Sequence, residues 1–179
     1  MHDLDVRFFY FWRRHSFSAK TDKFLRFYTR LGDGYVWVLV VAFLYFFYGE
    51  ELLLVLVKQV IPVLLVSLAF YWVIKLSVRR KRPFQLLESV NAEVPPLDKY
   101  SFPSGHTMNN LAVGFMVFAN APAIGWIVIF MPLTWGLLRV YFGVHWLSDV
   151  ICGIFLAFLS FWLGKNVYLW MNSGMQIYG

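Results

Sequence analysis

Long apolar runs separated by short polar clusters dominate the chain from residue 34 onward. Residues 34–49 contain no Asp, Glu, Lys or Arg, residues 52–74 contain only Lys58, and residues 107–138 and 150–164 contain none. A helix needs roughly 20 apolar residues to cross the hydrocarbon core of a bilayer. A spanning barrel would instead show short alternating segments, because every backbone polar group in lipid must be paired. The pattern therefore predicts an all-α integral-membrane protein.

Five spanning helices are predicted from these runs, with ends uncertain by a few residues. They cover about residues 33–49, 51–76, 105–120, 123–142 and 146–170. Residues 2–31 mix aromatic and basic side chains in pieces too short to span, which is typical of amphipathic helices lying in the headgroup region. We therefore expect one membrane domain over residues 1–179, with an interfacial segment at 1–32 and a transmembrane bundle at 33–170.

Composition agrees with the membrane assignment. The chain is 60% hydrophobic and 15% charged, whereas soluble domains carry about 25% charged residues. With five spans, the N-terminus, the loop 77–104 and the turn near residue 143 fall on one side of the membrane. Three polar pieces of sequence therefore meet on that side, and each has a functional and a purely structural interpretation.

The first piece places Lys75 and Arg82 at a span end, where snorkelling anchors are common. Arg139 belongs to the third piece and follows a long charge-free stretch, a position where charges usually function or pair. In the second piece, Ser104 and Gly105 precede His106 at the start of a span. Free N–H groups at a helix N-terminus bind anions, although plain capping by Ser104 explains the same residues equally well.

The third piece also contains His145 and Asp149, whose spacing puts them on one face of a helix. The carboxylate can orient the imidazole and stabilise its charged form, as in a catalytic triad, or it can simply tether the helix. A metal site of these two residues with His106 is disfavoured, because the nearby cations would repel a divalent ion and attract a phosphate. We predict no metal and no other cofactor. The whole inventory suits phosphoryl transfer, which depends on positioning and charge stabilisation.

The three pieces together resemble the motifs of the type 2 phosphatidic acid phosphatase superfamily, which also includes vanadium haloperoxidases. Their patterns are Lys-x6-Arg-Pro, Pro-Ser-Gly-His and Arg-x5-His-x3-Asp, in that order over residues 75–149. The family pattern commonly has Ser where this chain has Leu138. The family core is often drawn with six spans, so the resemblance implies five to six transmembrane helices.

The resemblance also implies a role for each matching residue. His145 would attack phosphorus, Asp149 would orient it, and His106 would protonate the leaving oxygen. The remaining residues would hold the phosphate oxygens: Lys75, Arg82, Ser104, Gly105 and Arg139.

The expected substrate is a membrane lipid phosphate rather than a nucleic acid. The short loops are similar to those of bacterial members, which favours the 1-phosphate of lipid A, with undecaprenyl diphosphate and phosphatidylglycerol phosphate as alternatives. A lipid phosphotransferase and a non-enzymatic transporter or scaffold are the rival classes. The resemblance implies the bacterial inner membrane with a periplasmic active site, whereas the basic N-terminal segment would place that face in the cytoplasm by the positive-inside rule.

Overall fold

Helices account for almost all of the ordered secondary structure. The computed structural model describes residues 2–175, and in that range there is no β-strand. This confirms the predicted all-α class. The helices are α1 (His2–Arg13), α2 (Ala19–Arg30), α3 (Tyr35–Val78), α4 (Pro83–Leu86), α5 (Gly105–Asn120), α6 (Pro122–Tyr141) and α7 (Leu147–Met175).

The first two predicted spans form two helical arms that meet at Gly49 and are together labelled α3. This residue has φ 84° and ψ 172°, a conformation that no helix contains and that glycine alone adopts readily. Residues 35–48 and 50–78 are therefore two helical arms joined at one point. A groove opens between these arms and α5.

Three stretches are long and apolar enough to cross a membrane, judged by length and composition: Tyr35–Leu86, Pro122–Tyr141 and Leu147–Ser173. The first of these includes both arms of α3. Helix α5 has 16 residues, which is short for a span, and most of its side chains are buried. The protein is therefore a multi-pass membrane protein, and the count of five to six crossings stays a prediction.

Helix α5 forms the centre of the bundle and packs against α3, α6 and α7. Its buried side chains Leu111, Ala112 and Met116 belong to the main hydrophobic core. Helices α7 and α3 approach very closely, since a Cβ added at Gly164 would lie 2.4 Å from the Cα of Val63. Small residues at such crossings are how membrane helices gain close packing without a hydrophobic driving force.

The N-terminal segment forms two separate helices, α1 and α2, each of 12 residues. Helix α1 packs on α6 and α7, and α2 packs on α6. Phe9 of α1 is fully buried, with its ring 6.2 Å from that of Trp146. Arg26 of α2 donates to a carboxylate oxygen of Glu93 at 2.6 Å. Both helices thus cover the end of the bundle that carries the loop 79–104, while their interfacial position stays a prediction.

Candidate active site

Lys75 and Arg82 converge on Asp98 in the loop after α4. The Lys75 ammonium donates to both carboxylate oxygens of Asp98 at 2.8 Å, and the Arg82 guanidinium donates to one of them at 2.9 Å. The hydroxyl of Tyr71 donates to the other oxygen. Burial alone would raise the pKa of Asp98, but the hydrogen bonds from Lys75 and Tyr71 hold that pKa below its ordinary value. The cations therefore meet an ionised carboxylate.

Arg139 is as deeply buried as Lys75 and Arg82. Unlike them, it makes no ion pair with a carboxylate of the described residues. Its side chain is 1% exposed and donates one hydrogen bond, to the carbonyl oxygen of Pro95 at 3.1 Å. The Nε atoms of Arg139 and Arg82 are buried without a hydrogen-bond acceptor. Within residues 2–175, Arg139 forms no ion pair. Because an uncompensated buried charge is strongly unfavourable, this position suits an anionic ligand.

His145 lies in the turn between α6 and α7, with its two ring nitrogens in different surroundings. Nε2 is 3.4 Å from a guanidinium nitrogen of Arg82. Nδ1 is 3.4 Å from a carboxylate oxygen of Asp149, without a formed hydrogen bond. Burial, followed by the charges of Arg82 and Arg139, lowers the pKa of His145 well below its ordinary value. The ring is therefore neutral at physiological pH, with a nitrogen lone pair available.

Asp149 is held rigidly at the start of α7. One carboxylate oxygen accepts the backbone N–H of Trp146 at 2.8 Å, and the other accepts from Arg80 at 2.6 Å. The first bond is a helix cap, because it satisfies a free N–H group at the helix start. The Asp149 backbone carbonyl accepts the N–H of Ser104 at 3.1 Å, which ties α7 to the start of α5.

Ser104 is fully buried at the start of α5 but does not cap it with its side chain. Its hydroxyl oxygen instead accepts from the Thr107 hydroxyl at 3.2 Å, so Ser104 occupies the predicted N-cap position without a side-chain capping bond. The next residue must be small, since a Cβ at Gly105 would lie 2.8 Å from the ring of Tyr71. A side chain at this position would therefore displace Tyr71, which donates to Asp98.

His106 pairs with a residue that sequence reasoning missed. Its Nε2 lies 2.8 Å from a carboxylate oxygen of Asp33, at the end of a single 3-10 turn, Leu31–Asp33. Burial alone would raise the pKa of Asp33, but the hydrogen bond and charge of His106 and the charge of Arg139 hold it below its ordinary value. The two residues are 73 positions apart, so no local spacing could have revealed the pair. Asp98, Tyr71 and Arg80 were missed for the same reason.

The eight residues selected from sequence thus form one buried cluster at one end of the bundle. Their contacts run from Lys75 through Asp98 and Arg82 to His145, and from there through Asp149 to the start of α5. The described residues contain no group of three or more His, Cys, Asp or Glu side chains able to hold a metal ion.

An apolar groove of about 600 Å³ leads away from this cluster, between the two arms of α3 and α5. Asp33, His106, Asp98 and Gly105 line its polar end. Its remaining walls are aliphatic and aromatic, and include Trp37, Leu56 and Val113. The His106 side of the cluster therefore faces a space suited to a hydrocarbon chain.

Comparison with known proteins identifies the family. The model of the PAP2 superfamily matches residues 56–173, which include all three motifs. The chain belongs to the PAP2 superfamily. This confirms the resemblance seen in the sequence, and the PAP2 relatives that it matches include proteins named as lipid phosphatases.

Two curated relatives and one solved structure illustrate the likeness. The chain is 32% identical over 90 residues to the bacitracin transport permease protein BcrC of Bacillus licheniformis, covering 48% of this chain and 44% of that protein. It is 30% identical over 139 residues to the undecaprenyl-diphosphatase of Sulfolobus acidocaldarius, covering 75% and 65% respectively. The crystal structure of Aquifex aeolicus LpxE superposes with a TM-score of 0.75 at 26% identity, covering 91% of this chain and 95% of that one.

Proposed function

We propose that this PAP2 protein is a membrane lipid phosphatase that removes phosphate from a lipid headgroup through a covalent phosphohistidine on His145. The observation that carries the proposal is the position of His145. It is a buried, neutral imidazole whose Nε2 faces Arg82 at 3.4 Å. Beside it are an apolar groove and Arg139, which forms no ion pair with any described residue. A nucleophile, an anion site and a site for a hydrocarbon chain thus adjoin.

The phosphate is held by charge and by donors already in place. Lys75, Arg82 and Arg139 supply three positive charges, of which Asp98 compensates one. The Ser104 hydroxyl and the Gly105 N–H complete the cradle at the N-terminus of α5. Donors fixed in a water-poor site stabilise the charge of a transferring phosphoryl group without having to reorganise. When phosphate is bound, Lys75 and Arg82 contact both the phosphate and Asp98.

In the first step, the lone pair on His145 Nε2 forms a bond to phosphorus while the bond from phosphorus to the lipid oxygen breaks. Asp149 accepts the Nδ1 proton in a hydrogen bond that shortens from the present 3.4 Å as the ring becomes positive; catalytic hydrogen bonds are often long before substrate binds. His106 donates a proton to the departing lipid oxygen. Asp33 holds Nε2 of His106, which leaves Nδ1 to face the substrate.

In the second step, His106 accepts a proton from water as the water oxygen attacks phosphorus. The bond between phosphorus and Nε2 of His145 breaks, its electron pair returns to the ring, and inorganic phosphate leaves. His145 thus serves as nucleophile and then as leaving group, His106 serves as acid and then as base, and both return to their starting protonation states.

We propose the 1-phosphate of lipid A as the substrate. The support is the likeness to LpxE over 91% of this chain, together with the basic and aromatic helices α1 and α2 at the site end. A polyprenyl diphosphate is the second candidate. It is favoured by the likeness to an undecaprenyl-diphosphatase.

Phosphate release from a lipid panel tests the function. The purified protein is incubated in detergent with chelator and with lipid A, undecaprenyl diphosphate or phosphatidylglycerol phosphate. We expect fastest release from lipid A and inhibition by vanadate. Faster release from undecaprenyl diphosphate would replace the substrate assignment. A phosphorylated lipid product in place of free phosphate would indicate a phosphotransferase, and no turnover of any lipid would favour a transporter or scaffold.

We further propose that the protein lies in a bacterial inner membrane with the active site on the periplasmic face. A reporter fused after Gly179 tests this under five crossings. A cytoplasmic reporter supports the proposed orientation, and a periplasmic reporter contradicts it.

A further inference from the structure

Asp5 is an unusual residue in the N-terminal helix α1. It is 3% exposed, whereas Asp3 on the same helix is exposed. One of its carboxylate oxygens accepts the backbone N–H of Ser148 at 2.9 Å. The other accepts the Ser148 hydroxyl at 2.6 Å and a guanidinium nitrogen of Arg80 at 2.6 Å. One acidic side chain of α1 therefore fixes both the first turn of α7 and the side chain of Arg80.

Arg80 connects this carboxylate to the nucleophile. One of its terminal nitrogens donates to Asp5, and the other donates to Asp149 and to the Ser148 hydroxyl, at 2.6 and 2.7 Å. Asp149, which is fully buried, in turn faces Nδ1 of His145. A continuous chain of charged contacts therefore runs from α1 through Arg80 and Asp149 to the ring proposed to attack phosphorus.

We propose that Asp5 is a positioning residue that acts through Arg80 and Asp149 to hold His145 in its attacking orientation. The inference rests on the proposed function of His145. Arg80 is the counter-ion of Asp149. Its guanidinium group is held in one orientation because both of its terminal nitrogens are bound. Asp5 accepts from the terminal nitrogen that does not contact Asp149. Without it, one terminal nitrogen of Arg80 loses its acceptor, and the ion pair that the other nitrogen makes with Asp149 is held in place less firmly.

Asp5 does not contact the phosphate cradle, so its effect separates from phosphate binding. Asp5→Asn should lower kcat by roughly tenfold to a hundredfold, the size typical of a residue that supports a directly acting group. The KM for a short-chain lipid phosphate and the inhibition constant for inorganic phosphate should stay within about threefold, because Lys75, Arg82 and Arg139 are untouched. Asp3→Asn removes the same charge from the same helix and should leave kcat unchanged.

The test uses the full-length protein in detergent and measures kcat, KM and inhibition by inorganic phosphate. The variants are Asp5→Asn, Asp3→Asn, Arg80→Gln, the Asp5→Asn/Arg80→Gln double variant and His145→Ala. If Asp5 acts through Arg80, the double variant loses no more kcat than Arg80→Gln alone. If the loss of kcat in the double variant equals the product of the losses in the two single variants, the proposal is overturned. Equal kcat values for Asp5→Asn and Asp3→Asn would also overturn it. A parallel loss of affinity for inorganic phosphate would likewise overturn it, since that result indicates a collapsed site.

The His145→Ala variant distinguishes a failure of the proposed function from a failure of the proposed role of Asp5. Retained activity in that variant overturns the proposed function itself. An inactive His145→Ala combined with a fully active Asp5→Asn overturns only the role of Asp5.

Discussion

The site contains two pairs of histidine and aspartate that differ in almost every respect. His145 and Asp149 are four residues apart and are 2% and 0% exposed. The distance from Nδ1 of His145 to the nearer carboxylate oxygen of Asp149 is 3.4 Å. His106 and Asp33 are 73 residues apart, are in hydrogen-bond contact at 2.8 Å, and line the apolar groove. The first pair is enclosed by cations, and the second opens towards the space for the lipid.

This difference matches two different chemical tasks. A nucleophile must be neutral and shielded from water, and the cations around His145 favour the neutral ring while they bind the phosphate. A general acid must reach the leaving oxygen, which remains attached to the lipid, so its place is at the mouth of the groove. The pairs therefore look alike as residue types, but their surroundings assign nucleophilic attack to one and proton transfer to the other.

The largest expected effect comes from removing the nucleophile. His145→Ala should lower kcat by roughly 10⁴-fold or more, because the proposed covalent intermediate forms on this ring. His15→Ala is the matched control, since that side chain is exposed outside the cluster. Phosphate release from the preferred lipid measures both. A loss below about tenfold in His145→Ala would break the assignment of the two pairs.

Removing the acid should have a smaller effect that depends on the leaving group. His106→Ala should lower kcat by about 10²- to 10³-fold with a lipid alkyl phosphate, the usual range for a general acid. With p-nitrophenyl phosphate the formation of the phosphoenzyme should be nearly normal, because that leaving group needs no proton. Burst kinetics measures this step. An equal loss of the burst rate with both substrates would contradict the role of His106.

Asp33→Asn should reproduce this leaving-group dependence in weaker form, at about tenfold, because it loosens His106 without removing it. The comparison of kcat for the two leaving groups is the measurement. An unchanged kcat with the lipid alkyl phosphate would mean that Asp33 has no part in proton transfer.

The groove should affect long-chain substrates alone. Val57 lines the groove and is 43% exposed, so Val57→Trp narrows the groove without overpacking the core. We expect the KM for a long-chain lipid phosphate to rise by about three- to tenfold, a loss of roughly 1 kcal/mol, with no change for a water-soluble short-chain substrate. Val38→Trp on the other side of α3 is the control. Equal changes in the two variants would show that the groove does not hold the chain.

The smallest effect concerns protonation rather than rate. Because burial and the charges of Arg82 and Arg139 lower the pKa of His145 well below its ordinary value of 6.5, the ring stays neutral as the pH falls from 8 through 6.5 and gains a proton only at lower pH. NMR of ¹³C-labelled histidine in micelles should show this, with His145→Ala identifying the resonance. Arg82→Gln should move the midpoint upward. A midpoint at or above 6.5 in the unaltered protein would contradict the assignment.

The sequence predicted the pair of His145 and Asp149, which are close in the chain. It did not predict the pair of His106 and Asp33, which are distant in the chain. The spacing of His145 and Asp149 on one helix face can be read directly, as can the apolar runs that became α3, α5, α6 and α7. The contacts of Asp33 with His106 and of Asp98 with Lys75 depend on how distant segments fold together, and no periodicity encodes them.

The groove between the two arms of α3 is a second feature that the sequence pattern did not predict. The two apolar runs on either side predict two spans, and Glu50 and Glu51 mark a polar point between them. The structure breaks the helix at that point, at Gly49, but nothing in the pattern indicated that the two arms would diverge to form the groove. Likewise, Ser104 has the sequence signature of a capping residue, but burial directs its hydroxyl to Thr107.

Trapping the phosphorylated protein tests the central claim most directly. In His106→Ala, p-nitrophenyl phosphate should phosphorylate His145 readily, while the missing base slows hydrolysis of the intermediate. Rapid quenching at alkaline pH with ³²P-labelled substrate should therefore yield a labelled protein whose label is stable to base and lost in acid, and which maps to His145. The account predicts no label in the His106→Ala/His145→Ala double variant. Label that persists in that double variant, or turnover without any labelled protein, would contradict it.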